Sequence, residues 1–196
     1  DPITVEIPAS VTICITSCGR LDLLERTLAS FRRYNKGGRY LISEDSTDRE
    51  IIAEVAAKYP DMELLHGPER LGITRSIDRL YNSVKTTYVF HLEDDWQFSG
   101  PVDWQAAIDL LEARPDIVNI CVRDFDEIRF RYRLQSKYLR SGGREFRVMN
   151  RSAHPEFFTW SPNPGLIKID LHRQYGPFGR YYPDEVSAVI KRDKKT

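Results

Sequence analysis

Residues 88–98 read YVFHLEDDWQF, and this stretch decides the fold. Tyr88, Val89, Phe90 and Leu92 favour a buried β-strand, broken only by His91. The run then stops at three consecutive acids, Glu93, Asp94 and Asp95. An apolar strand that ends in carboxylates puts negative charge at the carboxyl edge of a sheet, where open α/β sheets bind ligands. Carboxylates this close repel one another. A hard divalent cation that also carries phosphate oxygens offsets that repulsion. The plainer alternative is an acidic turn that caps the following helix.

Upstream, the chain alternates. Residues 11–17, VTICITS, form a β-rich run that ends in polar residues and Gly19. Leu21, Leu24, Leu28 and Phe31 recur at helical spacing, and Gly37-Gly38 closes that helix. Residues 40–43 make a second strand, which also runs into acids, Glu44 and Asp45. Helices over 51–59 and 73–84 flank a short strand at 62–66. The order β-α-β-α-β-α-β predicts a mainly parallel sheet with right-handed crossovers. Downstream, the pattern predicts a helix over 102–114, strands at 117–122 and 157–160, a short helical or mixed segment at 166–175, and a last helix from 186 to 191. Residues 125–151 are rich in arginine and aromatics. The alternation Arg129, Phe130, Arg131, Tyr132, Arg133 suggests an edge strand pair around the flexible Ser141-Gly142-Gly143 turn. A mobile segment there could order over a phosphate ligand.

At 196 residues the chain is one domain with room for a real core. Its 29 basic and 29 acidic side chains cancel, so nothing global points to nucleic acid or an anionic membrane. No apolar run reaches membrane-spanning length and no signal peptide is visible. The opening Asp1-Pro2 lacks a methionine, which predicts a piece processed or cut from a longer protein with further domains. Three cysteines without CxxC spacing suit a reducing, cytoplasmic setting and spell no zinc site.

Four motifs occur in a fixed order: TICITSCGR with LERTL, LISEDSTD, ERLGITRSIDRLYNSV and HLEDDW. Together they resemble the inverting family 2 glycosyltransferases. GITR with EDD is also similar to the core of N-acetylglucosaminyltransferases that act on glycoproteins. The resemblance is close over 11–98 and looser beyond. It implies an α/β GT-A fold, a Rossmann-like three-layer sandwich of the nucleotide-diphospho-sugar transferase kind. Residues 1–98 would form the nucleotide-binding half and 99–196 the acceptor-binding half. The implied activity moves a sugar from a nucleotide-sugar, with UDP expected, to a glycan or other hydroxyl acceptor. Mn²⁺ or Mg²⁺ would assist.

Carried over by position, Thr16 and Ser17 would border the nucleobase. Glu44 stands where the family places an aspartate on the uracil, with Asp45 as the alternative. Arg75 would reach the base or diphosphate, Asp94 the ribose, and Asp95 the metal, with Glu93 acting mainly through water. The general base would lie at Asp184 or Glu185, with Glu185 favoured as base and Asp184 as helix cap or acceptor contact; Asp124 and Asp126 come next. His154 is a candidate extra metal ligand. Trp96 and Trp160 could stack on sugar faces or pack in the core. The chain departs from the family in having Glu at the first acidic position and Ser76-Ile77-Asp78 in the third helix. Two other readings stay open: a nucleotidyltransferase of similar fold, for which Ser17-Cys18-Gly19-Arg20 is a poor phosphate loop, and a non-catalytic sugar- or nucleotide-binding module.

Overall fold

The computed structural model describes residues 3–196. In chain order the elements are β1 (Val5–Glu6), β2 (Val11–Ser17), α1 (Leu21–Tyr34), β3 (Asn35–Lys36), β4 (Arg39–Glu44), α2 (Arg49–Lys58), β5 (Glu63–Leu65), α3 (Ile73–Asn82), β6 (Tyr88–Glu93) and α4 (Trp104–Ala113). Then follow β7 (Ile120–Cys121), α5 (Phe130–Arg133), β8 (Lys137–Ser141), β9 (Arg144–Val148), β10 (Gly165–Lys168), α6 (Asp170–Tyr175) and α7 (Pro183–Lys191).

The central sheet has the order β5-β4-β2-β6-β10-β7. β5, β4, β2 and β6 are mutually parallel, while β10 runs antiparallel to both β6 and β7. The chain winds outward from β2 to β4 and β5, then returns to place β6 on the other side of β2. The order therefore reverses between β2 and β6, and a crevice opens at such a switch point. Pairing of Thr16 with Glu93 and of Ser17 with Glu44 brings the two acid-tipped ends, of β4 and β6, to one edge on either side of the end of β2.

Alternation along the strands divides the core between two faces. Ile13, Ile15, Phe90 and Leu92 pack against Leu24, Leu28 and Phe31 of α1 and Leu110 of α4. Phe31 stacks on Phe90 with ring centroids 5.6 Å apart. On the opposite face Cys14, Leu41, Val89 and Ile167 meet Ile77, Leu80 and Tyr81 of α3, with Val186 and Ile190 of α7. The result is the expected three-layer sandwich with a mainly parallel sheet. Among the described residues no helix is long and apolar enough to cross a membrane.

The second half departs from the sequence-based expectations in four places. The 129–133 alternation is a one-turn helix, α5, not a strand: residues i and i+4 of a helix share a face and i+2 opposes them, so Phe130 and Leu134 are exposed while Tyr132 is buried. The strand pair is instead β8 and β9, joined through Gly142 (φ 57°) and Gly143 (φ 77°). Two positive φ angles are what a two-residue primed hairpin turn requires. No strand forms at 157–160, where Phe158 sits at φ 69° and breaks the extended run. The strand lies at Gly165–Lys168, inside the segment read as helical or mixed, and β7 shrinks to two residues.

Candidate active site

The floor of the crevice is a knot of charge between the ends of β2 and β6. Asp94, whose side chain is 2% exposed, accepts from Arg20 Nε at 3.2 Å and from Arg20 Nη2. It also lies 3.5 Å from Ser17 Oγ and from the Cys18 amide. Arg20 Nη1 donates to Asp95 Oδ2 at 3.1 Å. Burial pushes the Asp94 carboxyl up, and the forked guanidinium opposes that rise while itself being held charged by the carboxylate. Asp95 is 42% exposed. Glu93 accepts from Trp96 Nε1 at 3.1 Å, and its carboxyl is pushed up by burial and then by its two acidic neighbours.

In front of these acids lies a cavity of about 580 Å³ lined by Glu93, Asp95, Trp96, Gln97, Arg123 and Glu127. Arg123 stands 5.7 Å over the Trp96 ring and pairs with Glu127 at 3.3 Å. Arg123 and Glu127 also line a second, more apolar cavity of about 510 Å³, walled by aromatics that include Phe125, Tyr132, Phe146, Phe158 and Trp160.

The acids after β4 have different tasks. Glu44 Oε1 accepts from the amides of Gly19 at 2.8 Å and Ser46 at 2.9 Å, while its buried Oε2 has no partner. Asp45 accepts from the amides of Leu71 and Gly72, both at 2.8 Å, and from Arg79 at 3.1 Å. It ties the loop before α3 to the sheet. Thr16 Oγ1 lies 3.4 Å from the buried His91, whose other ring nitrogen lies 3.1 Å from Tyr81 Oη. Arg75 is half-exposed on the first turn of α3 and pairs with Glu69 at 3.3 Å.

Asp184 and Glu185 lie on the first turn of α7, both exposed. The Tyr181 carbonyl, which accepts from Thr74 Oγ1 at 3.3 Å, sets this turn beside the start of α3. Glu185 Oε2 takes the Tyr182 amide at 2.8 Å, so Glu185 carries the capping bond that the sequence reading gave to Asp184. His154 stacks on Phe157 at 3.8 Å and accepts the Glu156 amide on Nδ1. Trp96 is a hydrogen-bond donor to the acid cluster, and Trp160 packs in the core against Phe178. Arg123 and Glu127 were not singled out from the sequence, and Arg20 entered only as part of a poor phosphate loop. A lone arginine directly after the first strand, in a chain whose other strand ends are acidic, is the signal that could have found Arg20.

Among the described residues no three Asp, Glu, His or Cys side chains converge as a ready-made ion cage. The arrangement is instead two carboxylates at the mouth of a cleft, backed by a third that an arginine neutralises.

The fold is that of the GT-A glycosyltransferases. The mannosyltransferase PcManGT from Pyrobaculum calidifontis, solved with GDP-Man and Mn²⁺, superposes with a TM-score of 0.60 at 15% identity, covering 95% of this chain and 52% of that one. S. aureus TarS with UDP gives 0.59 at 12% identity, covering 94% and 54%. In sequence, residues 12–173 match the family described as glycosyl transferase family 2, and the chain belongs to that family. A β-1,4 N-acetylgalactosaminyltransferase 1 from Mus musculus is 30% identical over 128 residues, which is 65% of this chain and 23% of that protein. The protein of the same name from Rattus norvegicus is 29% identical over the same length. The chain thus spans less than a quarter of the length of these relatives.

Proposed function

We propose that this chain is the catalytic core of an inverting sugar transferase that uses a nucleotide-sugar donor, with UDP as the nucleotide, a hydroxyl acceptor, and Mn²⁺ or Mg²⁺. The observation that carries this reading is Asp95, open at the β2–β6 switch point beside the half-buried Glu93. Hard oxygen donors, with room left for phosphate, suit an ion that takes one or two carboxylates and completes its shell with substrate and water. Asp95 would hold the ion, with Glu93 in support. When bound, such an ion neutralises charge developing on the nucleoside diphosphate as it leaves.

The chain's own residues do the remaining work. Asp94 is locked by Arg20, Ser17 and the Cys18 amide, so it fixes the crevice floor where the ribose would lie. Glu44 has one oxygen spent on backbone amides and one left without a donor. A uracil offers one imide N–H, whereas guanine presents two adjacent donors that call for two free oxygens. A stranded carboxylate oxygen costs on the order of 1–3 kcal/mol, which a base N–H would recover. A single in-line displacement needs one base to take the acceptor proton. Asp184, bonded only to the neighbouring Glu185 amide at 3.2 Å, would be the member of the α7 pair that takes that role. Residues 1–98 then serve the donor, and 99–196 receive the acceptor through the aromatic cavity beyond Arg123 and Glu127.

The test is Asp95→Asn. Donor hydrolysis in the presence of Mn²⁺ should fall to background while the circular dichroism spectrum and melting temperature hold. Wild-type turnover in Asp95→Asn, or in excess chelator, would overturn the metal assignment. Tighter calorimetric binding of GDP than of UDP would overturn the choice of base.

A further inference from the structure

Arg20 is a cation sitting where the family reading calls for one. Its three terminal nitrogens are all engaged: Nε and Nη2 on Asp94, and Nη1 on Asp95. Among the described residues it is the only basic side chain paired with either acid. We propose that Arg20 is a built-in counter-ion that excludes a divalent ion from Asp95 until a nucleoside diphosphate arrives to receive its guanidinium. This rests on the metal reading above and adds an order to it: metal alone binds poorly, and metal with diphosphate binds well.

The two halves of the fork differ in strength. Asp94 is 2% exposed, so its pair with Arg20 is screened by water and salt less than an open pair is. The Asp95 pair joins a 49% exposed arginine to a 42% exposed aspartate at 3.1 Å. Such solvent-exposed pairs contribute little and are easily given up. Arg20 can therefore release Asp95 and turn Nη1 to a ligand while still anchored through Asp94. A diphosphate is a suitable recipient, because guanidinium and phosphate oxygens form paired, charge-assisted bonds. The same event removes a positive charge from beside Asp95 and supplies the phosphate oxygens that complete the ion's shell. Without it, a divalent ion meets a carboxylate already neutralised and repelled by a guanidinium. The lack of a converged three-ligand cage among the described residues fits a site that the ligand completes.

The experiment measures Mn²⁺ affinity directly, by calorimetry and by the free-ion electron paramagnetic resonance signal, with and without UDP. In the wild type, UDP should tighten Mn²⁺ by about tenfold or more, within the usual range of coupling between linked sites. Arg20→Gln should bind Mn²⁺ alone about tenfold tighter than the wild type does, and the UDP-dependent gain should shrink. Arg20→Lys keeps the charge but not the fork. It should give an intermediate gain, and it carries the test if the Gln variant does not fold. A gain in metal affinity is a readout that structural damage does not produce. If both variants bind Mn²⁺ no tighter than the wild type while UDP still recruits the ion, the counter-ion role is refuted and the metal reading stands. If no protein binds Mn²⁺ with or without UDP, both fall.

Discussion

Replacing Asp45 by Asn tests whether this acid is a nucleotide ligand or a structural tie. Its side chain is 6% exposed and bonded to the Leu71 amide, the Gly72 amide and Arg79. Asn keeps one carbonyl oxygen but loses the charge and the second acceptor, and its amide N–H₂ faces a backbone donor. Arg79 is 17% exposed and its Nε is already without a partner, so the guanidinium is left largely buried and unpaired. Removing one member of a buried ion pair typically costs about 3–5 kcal/mol. For a domain of this size each kcal/mol moves the melting point by roughly 2–4 °C. A fall of about 6–20 °C follows, read by calorimetry without ligand. Arg79→Leu alone should cost less, and the double variant should recover part of the loss, because the stranded guanidinium is then absent. The reasoning is refuted if Asp45→Asn melts within about 2 °C of the wild type, well below that range, and loses UDP affinity instead.

Two further outcomes follow from the same geometry. Burial lowers the His91 pKa to about 3 from its ordinary 6.5, so the unfolded chain takes up this proton first as pH falls. The stability that neutral His91 contributes is complete above about pH 6.5 and drains between there and pH 3, by at most about 1.4 kcal/mol per pH unit. The difference in melting temperature between wild type and His91→Leu should narrow or reverse over that window; a constant difference would contradict it. At α7, Glu185→Gln should lower the melting point with transfer preserved, whereas Asp184→Asn should lose roughly a hundred- to ten-thousand-fold in kcat with donor affinity unchanged; normal transfer by both would move the base elsewhere.

The parallel half of the fold is legible because each of its elements carries one unambiguous period. Buried runs such as VTICITS and YVFHL alternate with helices whose apolar residues recur every three or four positions. The second half is harder for a physical reason. β10 is a four-residue buried strand that runs almost directly into α6, and so short an apolar run has no period of its own. Its antiparallel placement between β6 and β7 depends on pairing 76 residues apart in sequence, as in Leu166 with Phe90, or 44 apart, as in Gly165 with Cys121. The β8–β9 turn was legible from two adjacent glycines, whereas the ends of its strands were not, since arginines and aromatics fill α5 and the hairpin alike.

The acids of the site were legible as a set but not in their separate roles. Glu44, Asp45, Asp94, Asp95, Asp184 and Glu185 all sit at strand ends or helix starts, and one carboxylate in a sequence looks like another. What separates them is which donors the folded chain points at each. Backbone amides of the 19, 46, 71 and 72 positions converge on Glu44 and Asp45, because those loops turn at the sheet edge beside β4. Arg20 reaches Asp94, because the β2 loop turns towards β6. The Tyr182 amide, just before α7, claims Glu185. Each of these bonds spends an acceptor on holding the crevice in shape. Asp95 and Asp184 are left with oxygens facing solvent and only weak local ties. On the proposed function, a site that takes up an ion and a proton needs acceptors less committed than the buried acids, held by neighbours that are committed. The buried acids supply that rigidity, and it is this division, not acidity as such, that leads us to propose Asp95 and Asp184 for those two tasks.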